Sequence, residues 1–139
     1  MKLKYKRILL KLSGELFGGD KKEGIDFKSI EKIATVLINL KKTYPIDLAV
    51  VIGSGNIFRG RMINNKNFDR AQADYMGMLA TIINSLALQG ELERMGEQTR
   101  LMSEIIVTSV CEPFIRRRAL RHLEKGRIVI LGGGTGSPF

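Results

Sequence analysis

Three glycine-bearing segments follow directly on apolar runs. Ser13-Gly14 follows KRILLKL (residues 6–12), Gly53-Ser54-Gly55 follows DLAVVI (47–52), and Gly132, Gly133, Gly134 and Gly136 follow RIVIL (127–131). Glycines after a strand let backbone N–H groups approach a phosphate, and a following helix adds its positive N-terminal dipole. The stretch VIGSGNIFRG supplies both, and Arg59 adds a guanidinium fork suited to phosphate oxygens. Phe58 occupies the position where a GxGxxG fingerprint needs its third glycine, and no GxxxxGK[ST] occurs, which disfavours dinucleotide-binding and P-loop folds. On spacing alone, phosphate binding and a tight turn kept for packing stand level.

Other residues invite chemistry less directly. Lys11 interrupts an apolar strand near its carboxyl end, where a buried ammonium needs an anion. That anion is a phosphate in a nucleotide site, and otherwise a carboxylate such as Glu15, or solvent. Asp74, inside ADYMGMLAT, has the chemistry to accept hydrogen bonds from ribose hydroxyls, although its pattern alone reads as a solvated helix residue. Arg116, Arg117, Arg118, Arg121, Lys125 and Arg127 form the strongest basic run, most simply a solvated helix face. His122 is the single histidine, so a histidine-rich metal site or a catalytic triad has little support.

The elements that must carry these residues alternate in type. Residues 6–12 read as a strand buried on both faces. From Asp26, a plausible N-cap, Ile30, Ile33, Ala34, Leu37 and Ile38 recur at helical spacing until Tyr44-Pro45. Residues 47–52 form a second buried strand, and residues 56–60 open a short helix. A long helix spans residues 69–95, with Met76, Leu79, Ile83, Leu86 and Leu92 on one face and Met78, Ile82 and Leu88 widening it, so it should be largely buried. Residues 98–104 are a weaker strand, 113–125 a basic helix ended by Gly126, and 127–131 a last strand. Strands separated by helices indicate an α/β fold, a three-layer αβα sandwich with a mostly parallel sheet, whose ligands bind beyond the carboxyl ends of the strands.

Composition sets the outer limits. The 139 residues, 44% hydrophobic and 27% charged, fit one domain of the usual size of about 100–200 residues. Such a chain buries roughly two-thirds of its unfolded surface and needs no disulfide or metal staple. One cysteine, Cys111, cannot bridge internally, and no apolar run approaches the roughly 18 residues of a membrane span. No signal sequence is legible, so a cytoplasmic protein is expected. Lys and Arg number 23 against 14 Asp and Glu, a net charge of +9 that favours an anionic partner. Six Phe and three Tyr with no Trp, none interleaved as a stacking platform, keep RNA binding a minority reading.

Taken together, YKRILLKLSGE, VVIGSGNIFRG, ADYMGMLAT, RLMS and the terminal GTGSPF stand in the order and spacing of bacterial uridylate kinases, of the amino-acid kinase superfamily, which the chain resembles from Tyr5 to Phe139. The resemblance implies transfer of the ATP γ-phosphoryl group to UMP, giving UDP for pyrimidine nucleotide synthesis. It assigns Lys11, Leu12, Ser13 and Gly14 to a first ATP-phosphate loop, with Lys11 neutralising the transferred charge. Gly55 and Arg59 belong to a second loop, where donor and acceptor phosphates meet. Ser54 lies beside the acceptor phosphate, where the family usually has glycine; its hydroxyl adds a hydrogen bond or its Cβ crowds the nucleotide. Asp74 becomes the carboxylate that holds the UMP ribose, and Thr135, Gly136, Ser137, Pro138 and Phe139 begin the segment that reads uracil and then the UMP phosphate. Gly19, Asp20, Lys21, Lys22, Glu23 and Gly24 occupy the place of a loop linked to activation by GTP. The resemblance further implies ATP with Mg2+ as co-substrate, no tightly bound prosthetic group, UTP as an inhibitor and a homohexamer built largely on the long helix.

Family members continue beyond the position of Phe139 with a catalytic aspartate, a further acid and the adenine-binding half. The chain is therefore expected to be the UMP- and phosphate-binding part, residues 1–139, of a longer kinase lacking its C-terminal ATP-binding part, with little turnover alone. The rival from another class is a non-catalytic basic module that binds nucleotide or RNA.

Overall fold

The computed structural model describes residues 2–137. Its elements in chain order are β1 (Arg7–Leu12), α1 (Phe27–Thr43), β2 (Asp47–Ile52), α2 (Arg70–Arg94), β3 (Thr99–Ser103), β4 (Glu112–Pro113), α3 (Arg116–Glu124) and β5 (Ile128–Gly132), with 3-10 segments at Gly14–Lys21 and Gly60–Met62. The strands form one sheet in the order β1-β2-β5-β3-β4. Every pairing is parallel, and β1 runs alongside β2 in register from Arg7 opposite Asp47 to Leu12 opposite Ile52.

Helix α1 joins β1 to β2 and α2 carries the chain on to β3; both pack on one face. Helix α3 returns the chain from β4 to β5 on the other face, as right-handed crossovers require. Side-chain alternation along each strand then splits the core. Leu48, Val50 and Ile52 of β2 and Ile128 and Ile130 of β5 meet Ile30, Ala34, Leu37, Leu88 and Leu92 of the two long helices. Ala49 and Val129 point the other way, toward Leu123 and the smaller α3 layer. Each fully buried aliphatic side chain contributes about 1.5–3 kcal/mol. Asp26 does cap α1, accepting from Ser29 N at 3.2 Å and Ser29 Oγ at 2.6 Å, and Asp69 caps α2.

Four expectations need correction. Strand β1 lies at the sheet edge and alternates between exposed and half-buried residues instead of being covered on both faces. The segment expected as a short helix at 56–60 is a turn followed by the 3-10 residues Gly60–Met62. The start of the expected basic helix is the two-residue strand β4, because Glu112 and Pro113 pair with Met102 and Ser103. In α2 the buried stripe is Ala73, Ala80, Thr81, Ile82, Asn84, Ser85, Leu88 and Leu92, so Ile82, Leu88 and Leu92 of the expected apolar surface are buried, whereas Met76, Leu79 and Ile83 are 41%, 46% and 48% exposed.

Candidate functional site

Strands β1, β2 and β5 are neighbours, so their three glycine-bearing ends converge beyond one edge of the sheet. Gly53 N donates to Leu12 O at 2.9 Å, which holds the second loop against the end of β1. The first loop turns at once into a 3-10 segment, with Ser13 Oγ accepting from Glu15 N at 3.2 Å. The two loops touch through backbone. A Cβ on Gly14 would stand 2.8 Å from the carbonyl carbon of Ser54 and 2.7 Å from Asn56 Oδ1, and closer still to Gly55 N. Only glycine permits that approach.

The third loop is fastened to α2 and β3. Gly133 N donates to Thr81 Oγ1 at 2.7 Å, and Gly133 has φ +83° with its Cα against Ser103 Oγ, where a side chain could not fit. Thr135 and Ser137 close the loop on themselves, Thr135 Oγ1 donating to Ser137 O at 2.8 Å. On α2, Met78 lies against Gly134, and Gly77 faces Phe58 and the hydroxyl of Ser54. Asp74 stands one turn earlier on that face, since residues three and four apart share a side of a helix. It is half-buried and makes no hydrogen bond or ion pair among the described residues. Ser54 thus turns its side chain toward α2.

Arg59 lies at the mouth of the first two loops. Its Nε donates to Gly55 O at 2.5 Å and its Nη2 to Glu15 Oε1 at 2.6 Å. The Lys22 ammonium is 3.9 Å from the other oxygen of Glu15. Lys11, by contrast, is exposed and meets no carboxylate among the described residues. Of the surroundings expected for Lys11, solvent is the one found, because the edge position of β1 leaves the side chain in water; Glu15 pairs with Arg59 instead. The backbone N–H groups of Ser54 and Gly55 donate to nothing among the described residues. The two free N–H donors beside the Arg59 guanidinium have the chemistry to receive anionic oxygens.

Residues 19–24 join this cluster from the side. Gly24 N donates to Asn56 O at 2.8 Å, and Gly24 O accepts from Asn56 Nδ2 at 2.7 Å. Asp20, Lys21, Lys22 and Glu23 are exposed. Pro138 and Phe139 lie outside the described residues. The basic run does not join the cluster. Arg127 precedes β5, at the sheet end opposite the glycine loops, and donates to His122 Nδ1 at 2.9 Å, which leaves Nε2–H of His122 to donate to Glu112 at 2.9 Å. His122 is therefore a packed, hydrogen-bonded residue.

Sequence reasoning passed over Asn56, Thr81, Asn84 and Ser103, which hold the loops. The available signal was the trio Thr81, Asn84 and Ser85, polar residues at helical spacing inside an otherwise apolar helix. Elsewhere, burial pushes the Cys111 thiol above its ordinary pKa, which marks it as an inert core residue.

Known proteins share this arrangement. The chain is 54% identical over 137 residues to a uridylate kinase of Rickettsia bellii, a match that takes in 99% of this chain and 57% of that protein. Among solved structures, a UMP kinase from Bacillus anthracis superposes with a TM-score of 0.90 at 43% identity, over 97% of this chain and 55% of that one. A UMP kinase from Ureaplasma parvum gives 0.89 at 32% identity, over 99% and 57%. The chain thus spans little more than half the length of these relatives. The model of the amino acid kinase family matches residues 6–138, and with a parallel α/β sheet whose glycine-rich strand ends meet at one edge, the chain belongs to that family.

Proposed function

We propose that this chain is the acceptor-binding part of a nucleoside monophosphate kinase that transfers the γ-phosphoryl group of ATP to UMP. A UMP phosphate oxygen attacks the γ-phosphorus, the bond from γ-phosphorus to the β,γ-bridging oxygen breaks, and UDP and ADP leave. The names of the relatives support this reading, and the observation that carries it is the backbone contact between the first two glycine loops, with Arg59 at their mouth and Asp74 on the facing helix. Such a transfer depends on positioning and charge stabilisation more than on covalent chemistry.

In this reading Lys11, Leu12, Ser13 and Gly14 receive the ATP phosphates, with Mg2+ arriving as part of that substrate. Gly55 and Arg59 bridge donor and acceptor, and Arg59 exchanges Glu15 for phosphate oxygens as the nucleotides bind. Ser54 and Asp74 hold the phosphate and ribose of UMP, and Thr135, Gly136, Ser137, Pro138 and Phe139 begin the segment that reads uracil and then the phosphate. The segment of Gly19, Asp20, Lys21, Lys22, Glu23 and Gly24 serves activation by GTP, and UTP inhibits. The exposed stripe of Met76, Leu79 and Ile83 supports a homo-oligomer, a hexamer on family grounds, built on α2 in the cytoplasm.

The test is a calorimetric titration of the chain with UMP, CMP and deoxy-UMP, repeated with Asp74→Ala. Saturable UMP binding, about tenfold or more weaker without the ribose 2′-hydroxyl or the carboxylate, is expected, since a hydrogen bond to a charged group contributes about 1.5–3 kcal/mol. A chain shown to be folded by circular dichroism that ignores UMP, or binds deoxy-UMP as well, overturns it.

A further inference from the structure

Two side-chain amides lie beneath the glycine loops and take no part in the roles above. Asn84, in the middle of α2, is fully buried, and Asn56, at the end of the second loop, is 2% exposed. They face each other as a reciprocal pair: Asn84 Nδ2 donates to Asn56 Oδ1 at 2.7 Å, and Asn56 Nδ2 donates to Asn84 Oδ1 at 3.0 Å. The second N–H of Asn84 reaches Gly53 O at 2.9 Å, and that of Asn56 reaches Gly24 O at 2.7 Å. All four amide hydrogens and both oxygens are engaged. Flipping either amide would set like groups against each other, so each has a single orientation.

A buried polar pair is a poor way to add stability, because apolar residues of the same shape do as well once both partners are replaced. What the pair does add is direction. Residues 53–55 are two glycines and a serine, with little side chain to fasten them. The carbonyls of Ser54 and Gly55 accept only from within the loop, from Ile57, Phe58 and Arg59, so among the described residues the hydrogen bonds that join residues 53–55 to other elements are Gly53 N to Leu12 O and the Gly53 carbonyl to Asn84. We propose that Asn84, acting with Asn56, is the positioning residue of the second loop: it fixes the Gly53 carbonyl so that the N–H groups of Ser54 and Gly55 point outward to the phosphate of a nucleoside monophosphate. The same pair ties that loop to Gly24, so the two segments move together. This inference rests on the reading of the glycine loops as a UMP site.

The experiment compares UMP with uridine, which lacks the phosphate, by NMR titration of the chain and of Asn84→Leu and Asn84→Asp. Leucine has a similar volume without the amide; aspartate keeps an acceptor for Asn56 but cannot donate to Gly53. Both variants should bind UMP about tenfold or more weakly, the loss expected when an oriented donor set is released, and bind uridine unchanged. Leu88→Ala, which weakens the same helix without touching the amides, should keep the unaltered ratio of UMP to uridine affinity. An unchanged ratio in Asn84→Leu, or an equal loss for both ligands, overturns the proposal. Should the variants fail to fold, the side-chain amide protons of Asn56 and Asn84 in the unaltered chain decide it: they must exchange slowly with solvent and shift with UMP but not with uridine. An unaltered chain that binds UMP no better than uridine refutes the function reading itself, a result separate from any outcome in the variants.

Discussion

Replacing Gly14 by alanine tests whether the backbone contact between the first two loops shapes the site. The added Cβ would lie 2.8 Å from the Ser54 carbonyl carbon and 2.7 Å from Asn56 Oδ1. Carbon atoms prefer a separation of about 3.5 Å or more, so the loops must part by about 0.7 Å. The neighbours are backbone and a doubly bonded amide, so no flexible side-chain end can yield. Overpacking of this kind costs about 1–3 kcal/mol of stability. The effect on binding should be larger in proportion, since a displacement near 1 Å can cost about a hundredfold in a reaction that depends on positioning. Gly60 provides the control, because nothing stands within 4 Å of a Cβ there and its φ is not positive. Urea unfolding and UMP titration of Gly14→Ala beside Gly60→Ala read both quantities. Equal urea midpoints and equal UMP affinities in the two variants would refute the steric reasoning.

Leu88 has no exposed surface and packs between α2 and the sheet, so Leu88→Ala should lower stability by about 2–5 kcal/mol, read as a shift of the urea midpoint at constant slope. Acid sensitivity should trace in part to Asp26. The hydrogen bond from the Ser29 hydroxyl holds its carboxyl below the ordinary value of 3.8, so the unfolded chain takes up that proton first as pH falls. The stabilisation is complete above that value and disappears as pH drops through the lower folded one. Asp26→Asn, which keeps the acceptor without the titration, should flatten stability between pH 5 and pH 2 as measured by urea midpoints; an unchanged pH slope would count against this account.

The sequence by itself determined the alternation of strands and helices and the cap at Asp26. It also determined the three glycine-bearing strand ends, because each rests on local physics: apolar period, side-chain acceptors at a helix start and backbone freedom at a turn. The motif order carried the family, and Arg59 was legible as a guanidinium beside the second glycine loop from its spacing to Gly55. What the tertiary structure decided was everything that depends on which strand lies next to which. Strand order put β1 at an edge, which exposed Lys11 and left Glu15 to Arg59. It brought the ends of β1, β2 and β5 together, although nothing in the chain order 1, 2, 5 says that β5 sits between β2 and β3. It also divided the apolar surface of α2: Ile82, Leu88 and Leu92 face inward beside the polar Thr81 and Asn84, while Met76, Leu79 and Ile83 face outward. A hydrophobic period identifies a helix but assumes that the core wants only apolar groups. Loops of bare backbone need partners for their carbonyl and N–H groups, and those partners had to come from the buried side of the neighbouring helix.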